Sequence, residues 1–279
     1  MKFREPKLHE NPVANIEKVM LDFGASTRPS EKEGKTKNED AYFILHNAVG
    51  IFDGMGGASA GEVASGIARD YVEEELKKIP QNVSLLQAKE HLQRILTEAH
   101  KQIFKKSCQD VNFSGMGTTA DVAIFCEDQK TKKLVVGHVG DSRIYVLRKN
   151  GNLEQVTEDD NSARYIPNLN NLTSAEGLSA EQQQVWKYRN VIDNALGAKY
   201  LGTRIFSTDI YDGDVVLLCS DGISDNLTDT EIANISKQEG NASSLSGHLI
   251  DSSLARSREK SFRSKQDDMT AVVVKVSMR

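Results

Sequence analysis

Six acidic residues stand where short apolar runs begin or end: Glu39 and Asp40 ahead of 41–45, Asp53 after 49–52, Asp141 after 134–139, Asp221 after 215–219 and Asp267 ahead of 271–276. Any one of them would serve as a helix cap or a turn residue. Together they need a counterion, because carboxylates drawn out of water beside one another repel. No cysteine or histidine keeps company with them, and an oxygen-only donor set selects a hard cation, Mg²⁺ or Mn²⁺, over zinc. Two such ions, about 3.5–4 Å apart in known sites, activate water and clamp a phosphoryl group, so phosphate ester hydrolysis is the leading chemistry. Val49-Gly50-Ile51-Phe52-Asp53-Gly54-Met55-Gly56-Gly57 concentrates this logic. A buried strand runs into an acid, and the glycines behind it let backbone groups approach an ion or a phosphate closely.

These acids require strands whose ends meet. A strand over 19–23 precedes a polar loop over 26–37. The run 41–45 and the stretch ending at Asp53 form a hairpin that turns after Asn47, which brings the acids at its two termini to one end. Helix is expected where Val63, Ala64, Ile67, Ala68, Tyr71, Val72, Leu76 and Ile79 share a face before Pro80. A second helix starts at the capping pair Ser84 and Gln87 and carries Leu85, Ala88, Leu92, Ile95, Leu96, Ala99 and Ile103. His91 and His100 ride on it with no ligand-spaced partner. Strands follow over 121–126, 134–139, 142–147 and 153–156, the last two joined by Asn150-Gly151. The runs 204–210 and 215–219 read as a hairpin through Tyr211-Asp212-Gly213-Asp214, and the second, uniformly apolar, reads as a central strand. The polar segment 157–190 carries the capping pairs Thr173/Glu176 and Ser179/Gln182, with Trp186 to pack it down, and reads as an inserted loop-and-helix lobe. Thr228 and Glu231 cap a helix, another covers 245–255, and a strand over 271–276 follows. No internal repeat or linker divides the chain, so one domain over 1–279 is expected.

The 279 residues are 38% hydrophobic and 27% charged, an ordinary globular composition, with a formal net charge of −5. No basic block beyond short runs such as Lys130-Thr131-Lys132-Lys133 offers itself to nucleic acid. Cys108, Cys126 and Cys219 share no metal-ligand spacing, which suits a reducing compartment. No apolar run is long enough for a signal or a membrane span, so a cytoplasmic protein without membrane contact is expected. Three shorter motifs mislead. Asp22-Phe23-Gly24 lacks the loops a kinase places before it. Gly34-Lys35-Thr36 lacks the first glycine of a phosphate-binding loop. Gly115-Met116-Gly117 precedes a strand instead of joining strand to helix.

Asn38-Glu39-Asp40-Ala41, Phe52-Asp53-Gly54-Met55-Gly56-Gly57 with Gly61-Glu62, Gly115-Met116-Gly117-Thr118-Thr119, Val139-Gly140-Asp141-Ser142-Arg143, Ser220-Asp221-Gly222 and Asp267-Asp268-Met269-Thr270 occur in that order. In this the chain resembles the metal-dependent protein phosphatases of the PP2C (PPM) family, in their short bacterial form. The resemblance implies an α+β fold, a four-layer αββα sandwich of two antiparallel sheets flanked by helices. It implies a binuclear Mn²⁺/Mg²⁺ centre and, in signalling, hydrolysis of phosphoserine and phosphothreonine in proteins. A monomer with a cognate Ser/Thr kinase as partner goes with it. Carried over by residue, Asp53 bridges both ions, the Gly54 carbonyl binds one, and Asp221 and Asp267 hold the other. Glu39 and Asp40 act through bound waters, Asp141 with Asp225 matches a weaker third ion, and 157–190 is the family's flap. Two departures stand out. The arginine expected four residues before Glu39 is Lys35, which joins Asp53, Asp221 and Asp267 in the catalytic set if it points inward. Otherwise it lies in a solvated loop with Glu31, Lys32 and Glu33, and Arg28 is the alternative grip. Met55 stands where many eukaryotic members carry a histidine, so the leaving group takes its proton from water or another acid. Cysteine phosphatases are excluded, since Ser114, Lys132 and Asp225 occupy the positions of the required arginine. The alternative to an enzyme is a catalytically silent regulator of the same fold, which loss of ligands would mark; every ligand position is filled.

Overall fold

Residues 19–35, 37–56, 60–129 and 131–278 are described in the computed structural model. Thr36, Gly57 and Lys130, weighed above from sequence, lie outside them.

The first strand, β1 (Val19–Arg28), runs five residues beyond its expected end, because it pairs along its whole length with the last strand. The hairpin of β2 (Asp40–Leu45) and β3 (Ala48–Met55) forms as expected, and its register sets Asp40 directly opposite Asp53. Helix α1 (Ala60–Lys77) buries Ala64, Ala68, Val72 and Leu76 at helical spacing. Helix α2 (Leu85–Gln109) opens on the reciprocal Ser84–Gln87 capping box. His91 and His100 are half-buried on it. Next come β4 (Gly117–Thr118), β5 (Ala120–Asp128) and β6 (Thr131–Val139), and then Gly140, whose φ of +107° turns the chain out of one sheet and into the other at Asp141. Beyond it lie β7 (Arg143–Leu147) and β8 (Leu153–Gln155), joined at Asn150-Gly151, and α3 (Ala180–Lys187). The chain continues with β9 (Arg204–Asp209), β10 (Val215–Cys219), the single turn α4 (Asp221–Ser224), α5 (Asp229–Ser236), α6 (Ala242–Ser257) and β11 (Met269–Met278).

One sheet has the order β1-β11-β10-β7-β8 and the other β2-β3-β5-β6-β9, with β4 on β3, and the pairings are antiparallel. Three apolar layers glue four structural ones. Val49, Ile51 and Val136 meet Ile144, Leu218 and Val272 between the sheets. Leu92, Leu96 and Ile103 pack α2, alongside α1, on Phe52 and Val122. Ile232, Leu245 and Leu249 pack α5 and α6 on Tyr145, Leu217 and Val273. The result is the expected αββα sandwich. No helix among the described residues is long and apolar enough to cross a membrane.

Two expectations are corrected. The runs containing β9 and β10 do not form a hairpin: β9 pairs with β6 in one sheet, while β10 lies between β11 and β7 in the other. Their burial explains the split, since β9 is a half-exposed edge strand and every residue of β10 is buried. Arg148 anchors the crossing by donating to the Asp209 carbonyl and to Asp214. Thr173 and Glu176 start no helix, because the Glu176 amide turns back to Ser174 Oγ and Gly177 sits at φ +82°. Ser179 and Gln182 do form a capping box, on α3.

Candidate metal centre

The acids arrive from both sheets. Asp40 and Asp53 come from the β2/β3 hairpin, Asp221 follows β10 at the first residue of α4, Asp267 precedes β11, and Asp141 lies on the crossing between β6 and β7. Asp53, Gly54, Asp141, Asp221 and Asp267 line one cleft of about 250 Å³ together with Lys35 and Glu39. Asp53 is fixed through its backbone: its amide donates to Thr119 Oγ1 at 2.9 Å, and its carbonyl accepts from the Thr118 hydroxyl and the Thr119 amide, each at 2.9 Å. Gly54 admits no side chain, since a Cβ there would lie 2.3 Å from the Gly61 carbonyl oxygen. One on Gly61 would lie 2.7 Å from Glu39 Oε1. Glycine at both positions lets the hairpin end press against the start of α1.

Burial and mutual repulsion disfavour the charged carboxylates. Asp40 is pushed up to about 7, by burial first, with hydrogen bonds from Thr270 and Ser220 only partly offsetting it. Asp221 rises to about 6 through burial, against the pull of Lys265. Asp53 is raised by burial and then by Asp40, Asp221 and Asp267, and Asp141 by burial and Asp221. Asp40 Oδ1 and Asp221 Oδ1 are buried with no hydrogen-bond partner. A buried, unpartnered carboxylate oxygen costs free energy that a bound cation would recover. The donor set is all oxygen, with no histidine or cysteine on the cleft, so Mn²⁺ or Mg²⁺ fits it. Among the described residues no three His, Cys, Asp or Glu side chains are arranged as a ready-made cage. Lysine ammonium groups stand between the acids instead.

Lys35 points inward. Its Nζ lies 2.9 Å from Asp268 Oδ2, 3.1 Å from Glu39 Oε2 and 3.4 Å from Asp267 Oδ1. Burial alone would lower its pKa, but Asp268 and Asp267 outweigh burial and raise it. The solvated-loop reading of Lys35 is set aside. Arg28 instead pairs with Glu31 at 3.3 Å on the exposed surface. Asp268 ties down the loop carrying Lys35, accepting from the Ser30 amide at 2.7 Å and the Glu39 amide at 2.8 Å.

Sequence reasoning missed Lys265. Its Nζ contacts Asp221 and lies 3.3 Å from both Asp225 Oδ2 and Asp267 Oδ2. The available signal was spacing: on extended chain, a residue two before Asp267 faces the same side. Asp225 is met from the other side by Arg189, at 3.3 Å. Burial would raise Asp225, but Lys265 and then Arg189 outweigh it and hold it below the usual range. Arg189 comes from the segment between β8 and β9, where Trp186 stacks on Phe262 with ring centroids 4.4 Å apart. Asn190 and Ile192 of this segment line the cleft. Its base is pinned to the sheet crossing, with Asp160 accepting from the Gly140 amide at 2.9 Å and Asp159 from the buried Arg143 guanidinium at 2.6 Å. At the β3 end Met55 faces the cleft and has no proton to give.

The sequence profile of the protein phosphatase 2C family matches residues 29–257. The serine/threonine phosphatase stp of Listeria monocytogenes is 29% identical over 208 residues, 72% of this chain and 78% of that one. The crystal structure of the Mycobacterium tuberculosis serine/threonine phosphatase PstP/Ppp superposes with a TM-score of 0.75 at 25% identity, covering 92% of this chain and 99% of that one. The catalytic domain of PstP in complex with two manganese ions superposes with a TM-score of 0.73 at 25% identity, covering 93% and 100%.

Proposed function

Since the chain belongs to the protein phosphatase 2C family, we propose that its clustered carboxylates hold the two Mn²⁺ or Mg²⁺ ions with which it hydrolyses phosphoserine and phosphothreonine in proteins. The observation that carries this reading is the convergence of Asp53, Asp221 and Asp267 from two sheets on one cleft, with buried carboxylate oxygens left unpartnered. In it Asp53, the Gly54 carbonyl, Asp221 and Asp267 would hold the ions, and Glu39 and Asp40 would orient water around them. When bound, the ions supply the Lewis acidity that makes water a nucleophile at neutral pH and neutralises phosphoryl oxygens.

The remaining work falls to the chain. Lys35 draws the phosphate in as a point charge, without the two-pronged grip of an arginine. Asn190 and Ile192 form the wall against which the peptide lies. No cysteine lines the cleft to act as a covalent nucleophile; Cys126 and Cys219 are buried, and burial pushes the Cys219 thiol up. With Met55 where a proton donor would stand, the leaving serine or threonine oxygen takes its proton from water in the cleft. The silent-regulator alternative has no support from the relatives, which are named phosphatases. We take the chain as one domain with 157–190 as its flap, working as a monomer in the cytoplasm, where three unpaired cysteines are at home. A cognate Ser/Thr kinase supplies its phosphoproteins.

Phosphate release from a phosphothreonine peptide, with Mn²⁺ and in excess EDTA, tests the reading. Turnover should need the metal and should vanish in Asp53→Asn. Full activity in EDTA would sink it.

A further inference from the structure

Lys265 has more built around it than a surface lysine needs. Its amide donates to Asn226 Oδ1 at 3.0 Å and its carbonyl accepts from Asn226 Nδ2 at 2.9 Å, so a fully buried asparagine grips the backbone on both sides. The same Nδ2 also donates to the Gly222 carbonyl, one residue after Asp221, at 2.8 Å. The ammonium is thus aimed, by a fixed scaffold, into the angle between Asp221, Asp225 and Asp267, with Asp141 lining the same cleft as Lys265 and Asp221. Asp221 divides its two oxygens: Oδ2 goes to Lys265, while Oδ1 stays buried and unpartnered. Arg189 closes the far side of Asp225 at 3.3 Å.

We propose that the Lys265 ammonium is a resident cation that takes the place of an additional divalent ion among Asp141, Asp221 and Asp225, so that this chain's centre stops at two ions. The inference rests on the binuclear reading given above and adds to it. A protonated amine and a further dication cannot share Asp221 and Asp225 at contact distance, since their repulsion is strong where water is scarce. The ammonium is tethered, so no change in free metal concentration removes it. Asp221 Oδ1 stays turned away from Lys265 and unpartnered, and so remains available to the pair of ions, while Asp267 Oδ1 faces Lys35 at 3.4 Å and accepts from the Asp268 amide. Lys265 is then a positioning residue: it sets how many ions bind and holds Asp221 in place.

Mn²⁺ bound per chain decides the matter, counted by equilibrium dialysis and metal analysis on the full chain at millimolar free Mn²⁺. Native protein should bind two ions, and so should Lys265→Arg, which keeps the charge. Lys265→Met, which keeps the length, and Lys265→Ala should each bind three, and adding Asp141→Asn to either should return the count to two. Asp141→Asn alone, in a chain that keeps Lys265, should still bind two. Three ions on the native protein would overturn the inference, as would two on folded Lys265→Met, or the loss of an ion in Asp141→Asn alone. All three results leave the binuclear reading standing. Native protein binding no ion would instead remove that reading and this inference with it.

Discussion

Of the two lysines among the carboxylates, Lys35 keeps 23% of its side chain exposed and Lys265 only 14%, and we take Lys35 as the one that meets a substrate. A charge-assisted hydrogen bond contributes ~1.5–3 kcal/mol, so Lys35→Ala should raise KM about tenfold or more. The same ammonium lies 3.4 Å from Asp267, and its removal should therefore tighten Mn²⁺ binding. Steady-state kinetics beside a calorimetric Mn²⁺ titration would show both changes. Arg28→Ala should show neither, and a raised KM there instead would move the phosphate grip to Arg28. Asp40 supplies a pH signature. In metal-free protein its carboxyl sits at about 7 instead of its ordinary 3.8, so the native state keeps a proton that the unfolded chain has released. The stability from that protonated form is complete below about pH 4 and is lost as pH rises through about 7. Asp40→Asn has nothing to lose. Without metal, its Tm should therefore gain on the native protein's between about pH 5 and about pH 8, by ~2–4 °C for each kcal/mol relieved. A difference that does not change with pH would show that Asp40 is not held in this environment.

The turn from β10 into α4 brings the chain so close to the start of β11 that a Cβ on Gly222 would lie 1.9 Å from the Asp268 carbonyl oxygen. Gly222→Ala must push these elements apart. It should cost about 1–3 kcal/mol in urea denaturation and weaken the response to Mn²⁺, because Asp221 and Asp267 flank the contact. An alanine variant matching the native protein in both would mean that the contact yields freely. The segment between β8 and β9 has its own small core of Ala163, Ile166 and Trp186, apart from the three main layers. Trp186→Ala should loosen it locally, which limited proteolysis would read as faster cleavage within 157–190 while the main thermal transition holds. Much of this was open to inspection in the sequence. The β2/β3 hairpin and its facing acids follow from alternation and a short turn, and the central place of β10 follows from a run with no polar residue. Partner choice was not open, because periodicity marks a strand without saying which sheet takes it, and so β9 and β10 were wrongly joined. Lys265 escaped for a related reason: among Ser261, Ser264 and Gln266 it looks like solvated loop. Only the fold shows that Asn226 turns that loop inward.

Because carboxylates from both sheets face one another across the cleft, divalent metal should stabilise the whole molecule and not one region of it. At a free Mn²⁺ concentration a hundredfold above Kd the native state gains ~2.7 kcal/mol, or roughly 5–10 °C in Tm for a chain of this size. Asp53→Asn should blunt that rise in differential scanning fluorimetry, and an unchanged rise would mean that the ion stabilises some other place. The sheet crossing has a consequence for the speed of unfolding. Asp53 belongs to one sheet, Asp221 and Asp267 adjoin strands of the other, and more than half the chain runs between the first two. An ion held by all three would act as a detachable cross-link over that long loop, keeping the sheets together while it stays. Such a link forms late, after both sheets exist, so it should slow the escape from the native state while leaving the approach to it nearly untouched. Chelation would then act as a release catch, shortening the lifetime of the folded molecule without altering how it was assembled.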